Sequence, residues 1–594
     1  ARLPAFEVYV RHHPFLFEKE KDDALHKLRK LGVLHIKNIK SPVSEDISLL
    51  EQKISNVEKV INFINSFEEI KAQKETQNPE QITKRFIDLL QGKEKLLNEK
   101  YELESLLNWY ERWGKVSIGL IKELQKYGIY IRLYTVEKGF LKKLPEEKNI
   151  VVVGQDKFNA YIALFGESED DHLDLKEELI PQENPDEVYK RYGEVLSELE
   201  KVDKEIFDLT AYRDSIAKYK EELLKQYEFN LVRYGMGAEE KICFLQGFCP
   251  VDTVPGLKKR ADKEGWGYIV EEPDVPEEVP TLIRNPRWIR IIDPVFKFMG
   301  TLPGYNEVDI SFWFLLFFSI FFAMLIGDAG YGMVFLLGTY LLRRKYKKAP
   351  AEAFILFYVL SITTIIWGAV TGTWFGYEKI ARLPFFKYLV VDRVNSFIDE
   401  NQNFMMFITF VIGVIQLSIA HLITAFKYIN SLRSLSEIGW VLILWGLFFV
   451  AGNLVLGKPL PGFTAYLFIA GALLAALFAN PKGNLLKGFL AGIGDLPLSI
   501  ISAFSDIVSY LRLFAVGYAT VIVASSFNDM ALGAGISGPL SALIAAMVLV
   551  FGHGLNIVLG LMAVIVHGIR LNMLEFSGHL NMQWSGKPYK PFRE

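Results

Sequence analysis

From Ile47 onward the apolar positions Leu50, Ile54, Val57, Ile61 and Ile64 recur at spacings of three and four, the a/d seam of a helix that packs on a partner. A second apolar series with charged flanks runs from Phe86 to Trp113, after a polar break at Asn78-Pro79-Glu80 that predicts a kink or hairpin. After Pro185 the repeat is stricter, with Val188, Tyr192, Val195, Leu199, Val202, Ile206 and Leu209 alternating four and three. Helices at about 43–127 and 185–228 are therefore expected to form a long antiparallel coiled coil, on the order of 60 Å by helix rise. Dimerisation between chains is the alternative. Period-two runs predict α/β modules around these helices, at about 1–42, 129–180 and 229–285. The Pro-rich stretch at 273–280 reads as an extended linker.

Beyond residue 300 the pattern changes. Apolar segments run at about 310–342, 353–375, 404–426, 438–456, 463–479, 489–527 and 540–577. The first is interrupted at its centre by GDAGYG (327–332), which suits a tight hairpin and raises the expected count to eight spans. Eight spans place both ends on one side, and the basic loops agree. Arg343 to Lys348, Lys427 with Arg433, Lys482 with Lys487, and Lys587, Lys590 and Arg593 all fall on that side, which the positive-inside rule makes cytoplasmic. The last two segments are nearly twice the length needed to cross a bilayer upright, so they tilt or protrude.

Each of these long segments carries an arginine. On a helical wheel Ser502, Ser505, Asp506, Ser509 and Arg512 fall within an arc of about 120°. His553, Asn556, Gly560, Ala563, His567 and Arg570 fall within one of about 100°. An arginine deep in a membrane helix costs at least about 2.5–3.5 kcal/mol, a cost that marks ion pathways. The alternative is that Arg512 and Asp506 satisfy each other structurally. His553 and His567 fit an interhelical hydrogen bond as well as a proton relay, and Asp328 fits a turn as well as a site.

Composition sharpens the division. Of 594 residues, 66 are Lys or Arg and 69 Asp or Glu, a balance of -3 that gives no case for a nucleic-acid partner. Residues 1–300 hold 102 of the 135 charges, so a charged soluble half precedes an apolar membrane half, divided near residue 290. A wholly soluble protein is excluded. Two cysteines, Cys243 and Cys249, are too few for a disulfide framework or a Cys-rich metal site and read as small buried residues. The first residues, Ala1 to Pro4, lack the apolar core of a secretory signal, which predicts a cytoplasmic first half. With no P-loop, dinucleotide fingerprint or HExxH helix, neither a cofactor nor a catalytic site is expected.

Several stretches together resemble the membrane stator subunit of vacuolar- and archaeal-type rotary ATPases, subunit a in eukaryotes and subunit I in prokaryotes. They are SYLRLFAVGYA (509–519), HGIRLNMLEF (567–576), GDAGYG (327–332), PTLIRNPRWIR (280–290) and LPGYNEVDIS (302–311), and the likeness covers essentially the whole chain. The resemblance implies a mixed fold: α/β modules on a cytoplasmic arm (1–290), then an all-α membrane domain (291–594). It implies that Arg512 and Arg570 are the family's paired half-channel arginines and that His567 is the histidine one turn before the second. Protons or sodium ions would pass through two offset half-channels to and from carboxylates on the rotor c/K ring. Ser502, Ser505, Asp506 and Ser509 would line the inner half-channel, and His553, Asn556 and His567 the outer, with Asp328 a further candidate. Family members often carry an acidic residue where this chain has Gly560 or Ala563, so the outer lining is expected to differ here. Implied partners are the ring, peripheral stalk subunits of E/G type at the arm, the lipid bilayer and, indirectly, a central-stalk d/C-type subunit and the soluble ATPase head. Length and short loops favour a prokaryotic plasma membrane. A membrane-anchored scaffold leaves the two arginines unexplained. A secondary transporter leaves the arm unexplained and requires internal repeats that spans one to four and five to eight do not show.

Overall fold

A computed structural model describes residues 5–11, 17–67, 69–76, 78–116, 118–145, 148–168, 170–239, 242–273, 275–347, 349–478, 485–533, 535 and 538–594. Ala1 to Pro4, Lys348 and Lys482, used above, lie outside this set. The chain divides into two compact units, one mainly Glu7–Gly247 with Gly256–Ile269, the other mainly Val270–Lys590 with Phe248–Pro255.

In chain order the first unit contains β1 (Ala5–Arg11), α1 (Phe17–Leu31), β2 (His35–Lys37), α2 (Glu45–Ile64), α3 (Pro79–Trp113) and α4 (Ile118–Lys126). It continues through β3 (Tyr130–Glu137), β4 (Ile150–Gln155), β5 (Asn159–Gly166), β6 (Glu177–Glu178), α5 (Pro185–Leu209) and α6 (Arg213–Gly235). β7 (Gly237–Glu239), β8 (Ile242–Phe248), α7 (Val254–Glu264) and β9 (Gly267–Glu271) complete it. The polar break before the second apolar series is a helix start. Asn78 accepts from the backbone N–H of Gln81 at 3.3 Å, and Pro79 takes the first helical position, where its missing N–H costs nothing.

The seams pack in part: Leu50, Val57 and Ile64 are buried as the spacing predicts, whereas Ile54 and Ile61 are half-buried and Val60, outside the predicted series, is buried. Leu50, Val57, Val60 and Ile64 of α2 share a core with Phe86 and Leu89 of α3, Ile206 of α5 and Ile216 and Leu223 of α6. Cross-helix pairs show the directions: Arg85 with Glu205 and Arg191 with Glu99 run α3 antiparallel to α5. Lys220 with Glu58 and Tyr227 with Glu51 do the same for α6 and α2.

Two sheets flank these helices. One has the order β4-β5-β3-β6, and its Leu133 and Tyr161 pack on Trp113 at the end of α3. The other has the order β2-β8-β1-β9 with β7 on β8, so the expected first and third modules are one sheet. Strands as short as β2 leave most of their backbone unpaired and gain stability only within a wider sheet. Both cysteines are free and buried, and burial pushes the Cys249 thiol up to about 11.

At the β4–β5 turn, Asp156 accepts from the Tyr161 hydroxyl and the backbone N–H groups of Phe158 and Asn159. The Tyr161 bond first, then the backbone bonds of Asn159 and Phe158, holds the carboxyl below the usual carboxylate range. Because the folded-state value is depressed, its stabilisation is whole above the usual aspartate range and is lost as pH falls through the lowered value. Amide exchange at Phe158 and Asn159 is expected to stay slow at mildly acidic pH in the native chain and to be fast throughout in Asp156→Ala. Equal protection in both would show that the turn does not depend on this carboxylate.

The second unit is helical. It comprises α8 (Asp293–Met299), α9 (Ser311–Ile326), α10 (Ala329–Lys345), α11 (Ala351–Thr371) and the short α12 (Glu378–Ala381) and α13 (Pro384–Lys387). Then come α14 (Gln402–Lys427), α15 (Arg433–Leu456), α16 (Thr464–Phe478), α17 (Leu485–Ser509), α18 (Leu511–Leu532) and α19 (Pro539–Ala563). Among the described residues five helical segments are long and apolar enough to cross a membrane: Ala351–Thr371, Asp399–Lys427, Arg433–Leu456, Leu496–Leu532 and Pro539–His579. α16 is apolar but only 15 residues long, and α9 and α10 meet at a bend of 118°. The protein is a multi-pass membrane protein. α9 is apolar all round and buried from Phe321 to Ile326, as befits a central helix. α18 crosses it closely at Gly517, where a Cβ would collide with the Met324 carbonyl.

Candidate functional site

The long segment from Leu496 to Leu532 is broken once, at Tyr510, between α17 and α18. The break frees the Ser509 carbonyl, which accepts from Arg512 Nε at 3.0 Å and fixes the guanidinium. The other long segment changes its winding where α19 ends. Val564–Gly568 and Leu571–Phe576 are π-helical turns, in which residues five apart hydrogen-bond. Such turns recur at functional sites because they redirect side chains.

Redirection brings Glu575 to the arginines. Its Oε1 accepts from Arg512 Nη2 at 2.7 Å and from Ser509 Oγ at 3.2 Å, and lies 3.6 Å from Arg570 Nε. The Glu575 side chain is 5 % exposed, against 25 % for Arg512 and 52 % for Arg570. Its second oxygen, Oε2, is buried with no hydrogen-bond partner among the described residues. One carboxylate thus serves two guanidiniums and keeps an open acceptor. Beneath it a fully buried chain runs from Tyr510 through Gln416 to Asn572 and the Gly568 carbonyl, tying the break in one segment to the π turns of the other.

Beside this centre lies a cavity of about 590 Å³, lined by Ser502, Asp506, Arg570, Glu575, His421 and His579 among others. That volume accommodates many waters, and the wall is polar enough to hold them. Asp506 does not pair with Arg512; its Oδ2 meets His579 Nε2 at 3.1 Å. Ser502 faces the cavity, Ser509 bonds Glu575, and Ser505 is exposed and outside the cavity wall.

The other stripe is a separate cluster. Tyr331 Oη meets His553 Nδ1 at 2.8 Å and accepts from Asn556 Nδ2 at 3.0 Å. His553 Nε2 lies 3.1 Å from Asn528 Oδ1, and Asn556 also donates to the Thr520 carbonyl. His567 joins neither group, and its buried Nδ1 has no partner among the described residues.

Asp328 is the N-cap of α10, 1 % exposed. Oδ1 accepts from the N–H groups of Gly330, Tyr331 and Phe375, and Oδ2 from that of Gly376. Its carboxylate thus accepts three backbone N–H groups on Oδ1 and one on Oδ2, the arrangement of a turn and cap residue.

Glu575 lies inside the motif at 567–576 but five residues from Arg570, about 140° away on an ordinary helical wheel, so periodicity hid it. His421, Glu437 and His579 carry a plainer signal, being titratable side chains in or at the ends of apolar helices.

Fold and site define a multi-pass membrane protein in which two arginines approach one buried carboxylate. No family model matches the chain. It is 33% identical to the V-type ATP synthase subunit I of Borreliella burgdorferi over 97% of each chain. It is 30% identical to the V-type ATP synthase subunit I 1 of Treponema pallidum over 82% of each. With the A-type ATP synthase subunit I of Methanocaldococcus jannaschii it shares 26% identity over 91% of this chain and 84% of that one. The crystal structure of the cytoplasmic N-terminal domain of a subunit I, homolog of subunit a of V-ATPase, aligns with 45% of the chain at 16% identity and a TM-score of 0.24. The chain belongs to the subunit I family of V-type and A-type ATP synthases, membrane subunits of rotary ATPase complexes.

Proposed function

We propose that the chain is the stator through which ions reach and leave the rotor ring, and that the pairing of Arg512 and Arg570 with Glu575 beside a polar cavity carries this reading. A guanidinium stays charged at any working pH and lowers the affinity of a passing carboxylate for its proton. An ion-loaded ring carboxylate arriving at Arg512 therefore releases its ion, and the fixed charge blocks a direct leak. The cavity at Ser502 and Asp506, with Ser509 bonded to Glu575 of its wall, serves as the inner half-channel, with Ser505 on the surface available to the ring. His553 and Asn556, held by Tyr331 and Asn528, with His567 nearer the arginines, serve as the outer half-channel. Asp328 is left out of the ion path.

In this reading both arms of the bent pair and α16 cross the membrane, giving eight spans with cytoplasmic termini in a prokaryotic plasma membrane. The antiparallel helices of residues 1–290 act as a coiled-coil lever held by E/G-type peripheral stalks, with the d/C-type subunit and the ATPase head reached indirectly. The chain itself has no catalytic role.

Ion flux into vesicles holding the chain alone, the ring alone or the whole complex tests this. ATP-driven flux is expected only from the complete complex. Solute or ion transport by the chain alone would overturn the stator reading in favour of a transporter.

A further inference from the structure

Four titratable side chains from four helical elements form an unbroken hydrogen-bonded line at the cavity. Glu437 Oε2 of α15 lies 2.7 Å from His421 Nδ1 of α14, and His421 Nε2 lies 2.9 Å from His579 Nδ1 in the terminal helix Ser577–His579. His579 Nε2 reaches Asp506 Oδ2 of α17 at 3.1 Å. The side chains of His421 and Glu437 are 8 % exposed each and that of His579 11 %, whereas Asp506, at 30 %, opens to the cavity.

Proton counting constrains this line. Each of its three contacts is a hydrogen bond only if it holds one proton. Ionised carboxylates bring none and neutral imidazoles bring one each, so two histidines supply two protons for three contacts. The geometry therefore requires one excess proton, which leaves the four groups with a net charge of −1. Without it one contact sets acceptor against acceptor, either a carboxylate against an imidazole lone pair or the two imidazole lone pairs against each other.

The surroundings suit a proton that comes and goes. Trp440 of α15 lies nearly parallel to His421, with ring centroids 6.0 Å apart, and its face favours a cationic imidazole. Charged groups facing the line from the α19 extension are Arg570 and Glu575, with Arg512 behind Glu575, a cluster of net charge +1 that opposes permanent protonation. Lys427 and Arg433, near the ends of α14 and α15, line a separate pocket of about 90 Å³ that shares Asn581 with the main cavity.

We infer that Glu437, His421, His579 and Asp506 form a one-proton store feeding the Arg512 centre, and that the ion carried on this side is a proton rather than sodium. This rests on the stator reading. In loading, a proton from cavity water binds in the His579–Asp506 contact; in release it returns to water, whence a ring carboxylate takes it. The charge of the four groups alternates between −2 and −1, and no other covalent bond changes. Sodium requires a shell of oxygen ligands, and the line itself offers none: its imidazole nitrogens are engaged with each other and with the two carboxylates, so what it takes up is a proton.

The test is ATP-driven proton and sodium-22 uptake by vesicles of the whole complex across external pH, comparing native protein with His421→Gln and Arg512→Gln. Proton uptake without sodium uptake is expected from the native complex. His421→Gln should lower it roughly tenfold at alkaline pH, where protons are scarce, and little at acidic pH, because cavity water still conducts. Sodium uptake, or an unchanged pH profile in His421→Gln, would overturn the store. If Arg512→Gln abolishes flux in that case, the stator reading stands; unaffected flux in Arg512→Gln removes the stator reading itself. Should His421→Gln fail to assemble, infrared spectra of the native complex decide. A broad continuum absorption lost on alkalinisation supports the excess proton, and its absence at every pH refutes it.

Discussion

Arg512→Gln is expected to lower coupled ion flux by on the order of 10²- to 10³-fold, the range seen when a positioned donor to a developing charge is removed. Two effects mix in that single substitution. Glutamine cannot release a ring carboxylate's proton, because it carries no charge. It also leaves Glu575, 5 % exposed, with Arg570 at 3.6 Å as its remaining cationic partner. Stranding a buried charge costs about 3–5 kcal/mol, so part of the loss would be misassembly. The double variant Arg512→Gln with Glu575→Gln separates the two, since it removes charge and countercharge together. Assembly, measured by co-purification with the ring, should recover in the double variant while coupled flux stays lost. Flux restored along with assembly would make the pair a structural salt bridge and remove Arg512 from the ion path. Arg512→Lys should fall between, because an ammonium keeps the charge but lacks the fork that holds Ser509 O and Glu575 at once.

What the sequence discloses about this centre follows from which contacts are local. Arg512 and Arg570 stand out because a charge in an apolar helix is costly wherever it falls. Their shared partner does not, because Glu575 comes into line only through π-helical turns that a fixed 100° wheel cannot represent. Asp506 sits on the expected stripe, yet its partner is His579 rather than Arg512, and the line onward to His421 and Glu437 joins elements far apart in sequence. The arm shows the same division. Its heptads name the buried positions Val57, Val195, Leu199 and Ile206 directly. The sheet that joins β1 and β2 to β8 and β9 is invisible to any local window, because pairing partners lie more than 200 residues away.

Asp328 is expected to have a mainly structural task, and its removal to cost stability rather than coupling. It receives four backbone N–H groups, two from the first turn of α10 and two from Phe375 and Gly376 beyond α11. Those two residues adopt positive φ, 52° and 60°, a strained turn that the carboxylate holds in place. Ala329 donates to the Thr373 carbonyl, and a Cβ on Gly330 would meet the Phe375 ring at 2.5 Å, so the corner has little room to relax. Each orphaned buried N–H costs about 1–3 kcal/mol, and Asp328→Ala should therefore lose several kcal/mol and much of its yield of assembled complex. Asp328→Asn keeps an acceptor for three of the four and should be milder, failing mainly at Gly376, where its amide would set donor against donor. Thermal unfolding of the detergent-solubilised full chain reads the stability, and flux per assembled complex reads the coupling. A lowered midpoint with normal flux per complex is the expected pair of results. An unchanged midpoint with flux lost would return Asp328 to the ion path, since only a role in transport itself could then account for the defect.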